Sequence, residues 1–159
     1  MAGDLVGFPV GWLVSSRDDT GDVLYLDVVI AAPTDLVWRA LADPTHRRAW
    51  WSYLDLDARP GGTLTEHWRD AQGLEHATYG TVLEVEPCHR LRCSWRDDDW
   101  PVETELEITL HEEGGATSFR LRHAGWQRLA NGTHLLNEHR AGWEGHLTDL
   151  KGYAERLAV

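Results

Sequence analysis

The sequence predicts an α+β fold in which one antiparallel sheet is covered by a long C-terminal helix. Three observations carry this: strand-like alternation runs from Thr63 to Ala124, the connections there are short and turn-rich, and the apolar period lengthens near Asn137 to steps of three and four.

The elements follow in order. Residues 1–21 carry Gly, Pro, Ser and Asp around a short apolar patch, Phe8 to Val14, and read as an arm or an extra strand. Residues 22–159 are expected to form a single domain. Asp22 to Ile30 has the branched and aromatic content of a strand. Two short helices come next. In the first, Val37, Ala40 and Leu41 share one face, Pro33 suits the first turn and Asp35 favours the positive end of the dipole. Asp43-Pro44 ends that helix and opens the second, which leads into Trp50 and Trp51. Tyr53 to Ala58 alternates again before the turn Pro60-Gly61-Gly62.

Four longer strand patterns follow: Thr63 to Arg69, Leu74 to Glu86, Arg90 to Arg96 and Val102 to His111. A fifth spans Ala116 to Ala124. Connections this short make an antiparallel meander. Trp143, Leu147, Leu150, Ala154 and Leu157 then mark one face of an amphipathic helix beginning near Asn137.

Composition narrows the partners. Fifteen Lys and Arg against 26 Asp and Glu give a net charge of -11, with no basic block, which disfavours nucleic acid and anionic lipid. The first residues lack a basic start and a long apolar run, so the expectation is a cytoplasmic protein without membrane insertion. The two cysteines, Cys88 and Cys93, flank a turn and suit a reduced compartment. Tryptophan stands out: nine, against two Phe and four Tyr, more rigid rings than a core this size requires, so some are expected to face a space shared with a ligand.

Several segments together resemble one family. They are APTDLVWRALADPTHRRAWW (Ala32 to Trp51), PGG (Pro60 to Gly62), GTVLEVEPCHRLRCSW (Gly80 to Trp95), RLRHAGW (Arg120 to Trp126) and HRAGWEGHLTDLKGYAE (His139 to Glu155). In order and spacing they are similar to the Hsp90-ATPase-activator-homologue-like branch of the START-like (SRPBCC) superfamily, over roughly residues 22 to 157. The resemblance implies the helix-grip fold: a curved antiparallel sheet wrapped round the C-terminal helix, with a pocket between them. Small bacterial members resemble only the C-terminal domain of the eukaryotic co-chaperone. Members of the wider superfamily bind lipids, hormones and polyketides, some act as cyclases or aromatases, and some protect producers of reactive natural products by sequestering the toxin. A shared fold hosts many functions, so the pocket residues must carry the argument.

Alternation places Leu64, Glu66 and Trp68 on one face of their strand. The resemblance implies an apolar or aromatic residue at the position of Glu66. An unpaired inward carboxylate there would have a raised pKa and could serve as a general acid or an anchor. Alternatively, register or a bulge turns Glu66 outward, or an Arg pairs with it. Leu91, Cys93 and Trp95 share an inward face, as do Val102, Thr104, Leu106, Ile108 and Leu110, and then Phe119, Leu121 and His123. A structural role for His123 is favoured over catalysis. On the long helix, His139, Trp143 and His146 share a broad face, and Gly142 and Gly145 leave room beside it. His139 and His146 lie two turns apart, too far for a ligand pair, and no spacing calls for a metal or another cofactor.

The leading expectation is an apolar or aromatic, polyketide-like ligand. The candidate lining is Trp50, Trp51, Trp68, Trp95, Trp126 and Trp143, with Glu66, His123 and His139 as polar anchors. The rivals are a cyclase or hydrolase using Glu66 with a His, and a protein-interaction module of the co-chaperone kind. The sequence contains no established catalytic motif, so binding without chemistry is preferred. Nothing in it indicates an oligomer.

Overall fold

The computed structural model describes residues 14–17 and 22–159. Its strands are β1 (Val14–Arg17), β2 (Leu24–Ile30), β3 (Leu54–Leu56), β4 (Thr63–Arg69), β5 (Glu75–Glu86), β6 (Arg90–Asp97), β7 (Thr104–Glu113) and β8 (Ala116–Ala124). The helices are α1 (Thr34–Ala42), α2 (Pro44–Arg47) and α3 (Gly132–Leu157). All eight strands form one sheet in the order β1-β2-β8-β7-β6-β5-β4-β3, antiparallel throughout. Within the N-terminal segment read as an arm or strand, Val14–Arg17 pairs with β2. The rest of that segment, 1–13 and 18–21, lies outside the described residues.

The short connections explain the meander from β4 to β8, and β2 closes beside β8 because the helices between β2 and β3 carry the chain across the sheet. The inward rows are Leu24, Leu26, Val28 and Ile30 on β2, Leu106, Ile108 and Leu110 on β7, and Phe119 and Leu121 on β8, all buried. Against them α3 lays Leu136, Trp143, Leu147, Leu150 and Ala154. Strand and helix periods thus meet over one apolar layer.

Of the boundaries that differ from the sequence reading, two bear on the core. Helix α3 begins at Gly132 rather than near Asn137, because buried Leu136 extends the apolar stripe back beyond His139. Val102 is exposed and precedes β7, which starts at Thr104. Strand β5 also carries one extra residue relative to β6: the register shifts between Val82 and Glu84, leaving Leu83 exposed. The extra residue moves the inward row from Val82, opposite Cys93, to Val85, opposite Leu91, where Val85 packs against the core. Gly80 sits where β5 and β6 nearly touch, since a Cβ there would lie 2.1 Å from the Ser94 carbonyl oxygen.

The turn between α1 and β3 is stitched from inside. Asp43 caps α2 by accepting from the Thr45 amide at 2.8 Å. Buried Arg47 donates to the carbonyls of Leu41 (3.0 Å) and Leu56 (2.9 Å), tying the end of α1 to β3. This fixes where Trp50 and Trp51 emerge.

Candidate functional site

A cavity of about 430 Å³ opens between α3 and the inner face of β4, β5 and β6. Trp68, Trp95, Trp100 and Trp143 form its apolar walls. Gly142 on α3 also lines it, and a Cβ there would meet nothing within 4 Å, so the missing side chain leaves open space.

A cross-strand row forms the polar floor. Glu66 on β4 stands opposite Thr78 on β5, and Thr78 opposite Asp97 on β6. Opposed residues of an antiparallel pair point to the same face, so both acids look toward α3 with one hydroxyl between them. Trp68 Nε1 donates to Thr78 Oγ1 (3.0 Å), and Thr78 Oγ1 donates to Asp97 Oδ1 (2.6 Å). Trp51 Nε1 donates to Glu66 Oε2 at 2.8 Å.

Burial dominates the electrostatics. It pushes Glu66 up to about 7, with nearby Asp97 adding to the rise and the Trp51 hydrogen bond opposing it. Burial likewise raises Asp97 to about 6, against the Thr78 hydrogen bond and with Asp99 and Asp98 adding. On the helix side, burial lowers His146 and His139 to about 4 each. His146 Nε2 lies 3.8 Å from Glu66 Oε2. At that distance, with the acid's pKa raised and the imidazole's lowered, the contact near neutral pH is a carboxyl group beside a neutral imidazole, not an ion pair. The His146 ring stacks on Trp51, with centroids 3.8 Å apart.

His139 is held at both nitrogens. Nδ1 donates to the Leu135 carbonyl at 3.0 Å, and Nε2 accepts from Trp95 Nε1 at 3.3 Å. His76, at the outer end, stacks on Trp68 and lies between Asp70 (2.9 Å) and Asp98 (3.1 Å), whose hydrogen bonds raise its pKa. Both carboxylates favour its protonated form.

The candidates from sequence separate into three positions. Glu66, Trp68, Trp95, His139 and Trp143 line the cavity. Trp51, His123 and Trp126 sit behind the lining. Trp51 backs Glu66, while Trp126 is buried and donates to the His123 carbonyl at 2.9 Å. His123 is fully buried: Nδ1 accepts from Trp143 Nε1 (3.1 Å), and Nε2–H donates to Thr104 Oγ1 (2.7 Å), whose own proton goes to the Trp95 carbonyl (2.7 Å). Burial and neighbouring His139 keep it neutral, so it supports the wall as a structural histidine. Trp50 lies off the cavity, packed beside α1 with Nε1 donating to the Ala40 carbonyl at 2.8 Å.

Sequence reading missed Thr78, Asp97, Trp100 and His76, and left His146 outside its candidate list. The alternation through Cys93 and Trp95 reaches Asp97 one step beyond the expected strand end. Trp100 needed the turn itself, where its amide donates to the Asp97 carbonyl at 3.0 Å. Among the described residues, no three His, Cys, Asp or Glu side chains converge as metal ligands, and no helix is long and apolar enough to cross a membrane.

A curved sheet gripping one long helix, with a lined cavity between them, is the helix-grip architecture of START-like proteins. The profile of the family described as Activator of Hsp90 ATPase homolog 1-like protein matches residues 31–155, and the chain belongs to that family. Among solved structures, CalU16 from Micromonospora echinospora is similar at 29% identity and a TM-score of 0.66, over 91% of this chain and 84% of that one. CV1439 from Chromobacterium violaceum matches at 27% identity and a TM-score of 0.71, over 84% and 97%. DynU16, a protein in the dynemicin biosynthetic locus, matches at 25% identity and a TM-score of 0.71, over 84% of this chain and 47% of that one. Comparison with curated proteins returns no match.

Proposed function

We propose that the protein binds an apolar or aromatic, polyketide-like small molecule between the sheet and α3, and sequesters it in natural-product biosynthesis or self-resistance. The observation that carries this is the cavity of about 430 Å³ walled by four indoles, a volume within the usual range for small-molecule sites. A protein-interaction module of the co-chaperone kind would need no such space. The likeness to DynU16 supports a setting in natural-product chemistry. Ligand contacts are assigned to Trp68, Trp95, Trp100 and Trp143, with Glu66 as the polar anchor and Trp51 and His139 holding the walls in place.

The test is quenching of tryptophan fluorescence by a panel of polycyclic aromatics, run on the parent protein and on Gly142→Leu, whose new side chain projects into the cavity. Saturable quenching that the variant loses supports the proposal. No response across the panel in folded parent protein overturns it.

The distance between Glu66 and His146 favours a second reading, acid–base chemistry in the same cavity. The two groups are within reach of one bridging water, and one acidic and one basic partner near neutral pH is the pairing such a reaction needs. Glu66→Gln would then abolish turnover of a bound substrate; turnover that survives this substitution refutes the assignment.

A further inference from the structure

The polarity of the cavity is one-sided. Glu66 and Asp97 are each more than nine-tenths buried, with relative exposures of 9% and 6%. Each gives one oxygen to a protein donor, Glu66 Oε2 to Trp51 and Asp97 Oδ1 to Thr78, and the second oxygen of each receives no hydrogen bond from the described residues. Three more carboxylates, Asp70, Asp99 and Glu138, stand in the lining, while among the described residues no Lys or Arg does. Asp70 contacts His76 and Glu138 contacts His134, but neither deep acid has a Lys or Arg partner among the described residues, and His76 is the smallest of the influences on Asp97. His146 and His139, facing them from α3, are held neutral by burial.

Such a site is costly when empty. Burial strips hydration from both acids and raises them, Glu66 to about 7 with Asp97 adding to the rise, and Asp97 to about 6 with Asp99 and Asp98 adding. Four indoles line the same cavity, and the faces of indole rings attract organic cations. An ordinary apolar ligand would satisfy the walls and leave the floor unpaired. A simple metal ion would not use the walls.

We propose that the cavity's ligand carries a protonated amine on an aromatic or apolar body, with the ammonium group received by Glu66 and Asp97 and the body packed against Trp68, Trp95, Trp100 and Trp143. This rests on the reading of the cavity as a ligand site, and it narrows the substrate class from aromatic compounds in general to amine-bearing ones. The free Glu66 and Asp97 oxygens take N–H donors from the ammonium, while Thr78, held between the acids, fixes their spacing. The rim carboxylates add a field that draws cations inward and weakens with salt.

The test uses three probes of one shape: 1-pyrenemethylamine, 1-pyrenemethanol and 1-pyrenecarboxylate. Their affinities are measured by fluorescence at pH 8, at low and at raised salt, with the parent protein, Glu66→Gln and Asp97→Asn. The amine is expected to bind about tenfold or more tightly than the alcohol, with the carboxylate weakest. In either variant the ratio of amine to alcohol affinity falls toward one, and circular dichroism checks that each variant is folded. Should a variant fail to fold, the ratio in the parent protein and its decline with salt still decide the question. Equal affinity for amine and alcohol, or a ratio unmoved by both substitutions and by salt, overturns the cation proposal while leaving an aromatic site intact. Binding of none of the three overturns the ligand-site reading as well.

Discussion

Replacing Glu66 by Gln is expected to stabilise the protein at alkaline pH and to leave it nearly unchanged at acid pH. The carboxyl moves from its ordinary 4.5 to about 7 in the folded state, chiefly through burial. Below 4.5 both folded and unfolded chains hold the proton, and Glu66 costs nothing. Between 4.5 and about 7 the unfolded chain releases it while the folded one keeps it, so stability falls as pH rises. Above that range the full cost is present, about 3 kcal/mol. The glutamine amide oxygen can still accept from Trp51 Nε1, so the substitution removes ionisation without removing the hydrogen bond. Asp97, raised to about 6, runs the same way over a lower window, whereas the buried histidines run the opposite way. His139 and His146, lowered to about 4, contribute stability above the ordinary 6.5 that is lost as pH falls through 4. These contributions are common to both proteins and largely cancel in the difference. The assay is urea unfolding followed by tryptophan fluorescence, from about pH 5 to about pH 8.5. The stability of Glu66→Gln minus that of the parent should climb with pH by up to about 3 kcal/mol. A flat difference, or one that falls with pH, would refute the account of Glu66 as a buried carboxyl without a counter-charge.

Three further outcomes follow from the packing around the cavity. Trp143→Phe leaves His123 Nδ1 buried without its donor, and should cost at least about 1–3 kcal/mol in urea unfolding; a loss near zero would mean that the buried histidine does not depend on that indole. Trp51→Phe removes the hydrogen bond that restrains Glu66, so the carboxyl should titrate still higher by NMR, and a downward move would contradict the assigned causes. Gly142→Ala should raise thermal stability by about 1 kcal/mol, since the new methyl group enters open space and alanine is the better helix former; destabilisation would show that the helix needs glycine there.

The layers were legible because their residues repeat locally. Alternation on β4 set Leu64, Glu66 and Trp68 on one face, and the stripe from Trp143 to Ala154 marked α3, so the two sides of the cavity could be written from periodicity alone. The carboxylate pair was not legible, because it depends on register. Glu66 and Asp97 are far apart in sequence and meet only through Thr78, and no local pattern reports which residue of β5 stands between them. The tryptophans show the same limit. Trp68 and Trp95 lie on strands whose inward face could be counted, whereas Trp50 and Trp126 sit at turns, where a change of one residue redirects the ring from the cavity to α1 or to the core.

The most direct measurement is a titration of indole-labelled protein with 1-pyrenemethylamine, followed by the NMR signals of its nine tryptophan Nε1–H groups. A ligand held between the sheet and α3 should shift Trp68, Trp95, Trp100 and Trp143, with Trp51 responding through Glu66, while Trp38 on α1 and Trp50 beside it, both off the cavity lining, stay in place. Shifts centred on Trp38 and Trp50, or no shifts at saturating probe, would contradict the claim that this cavity is the protein's binding site.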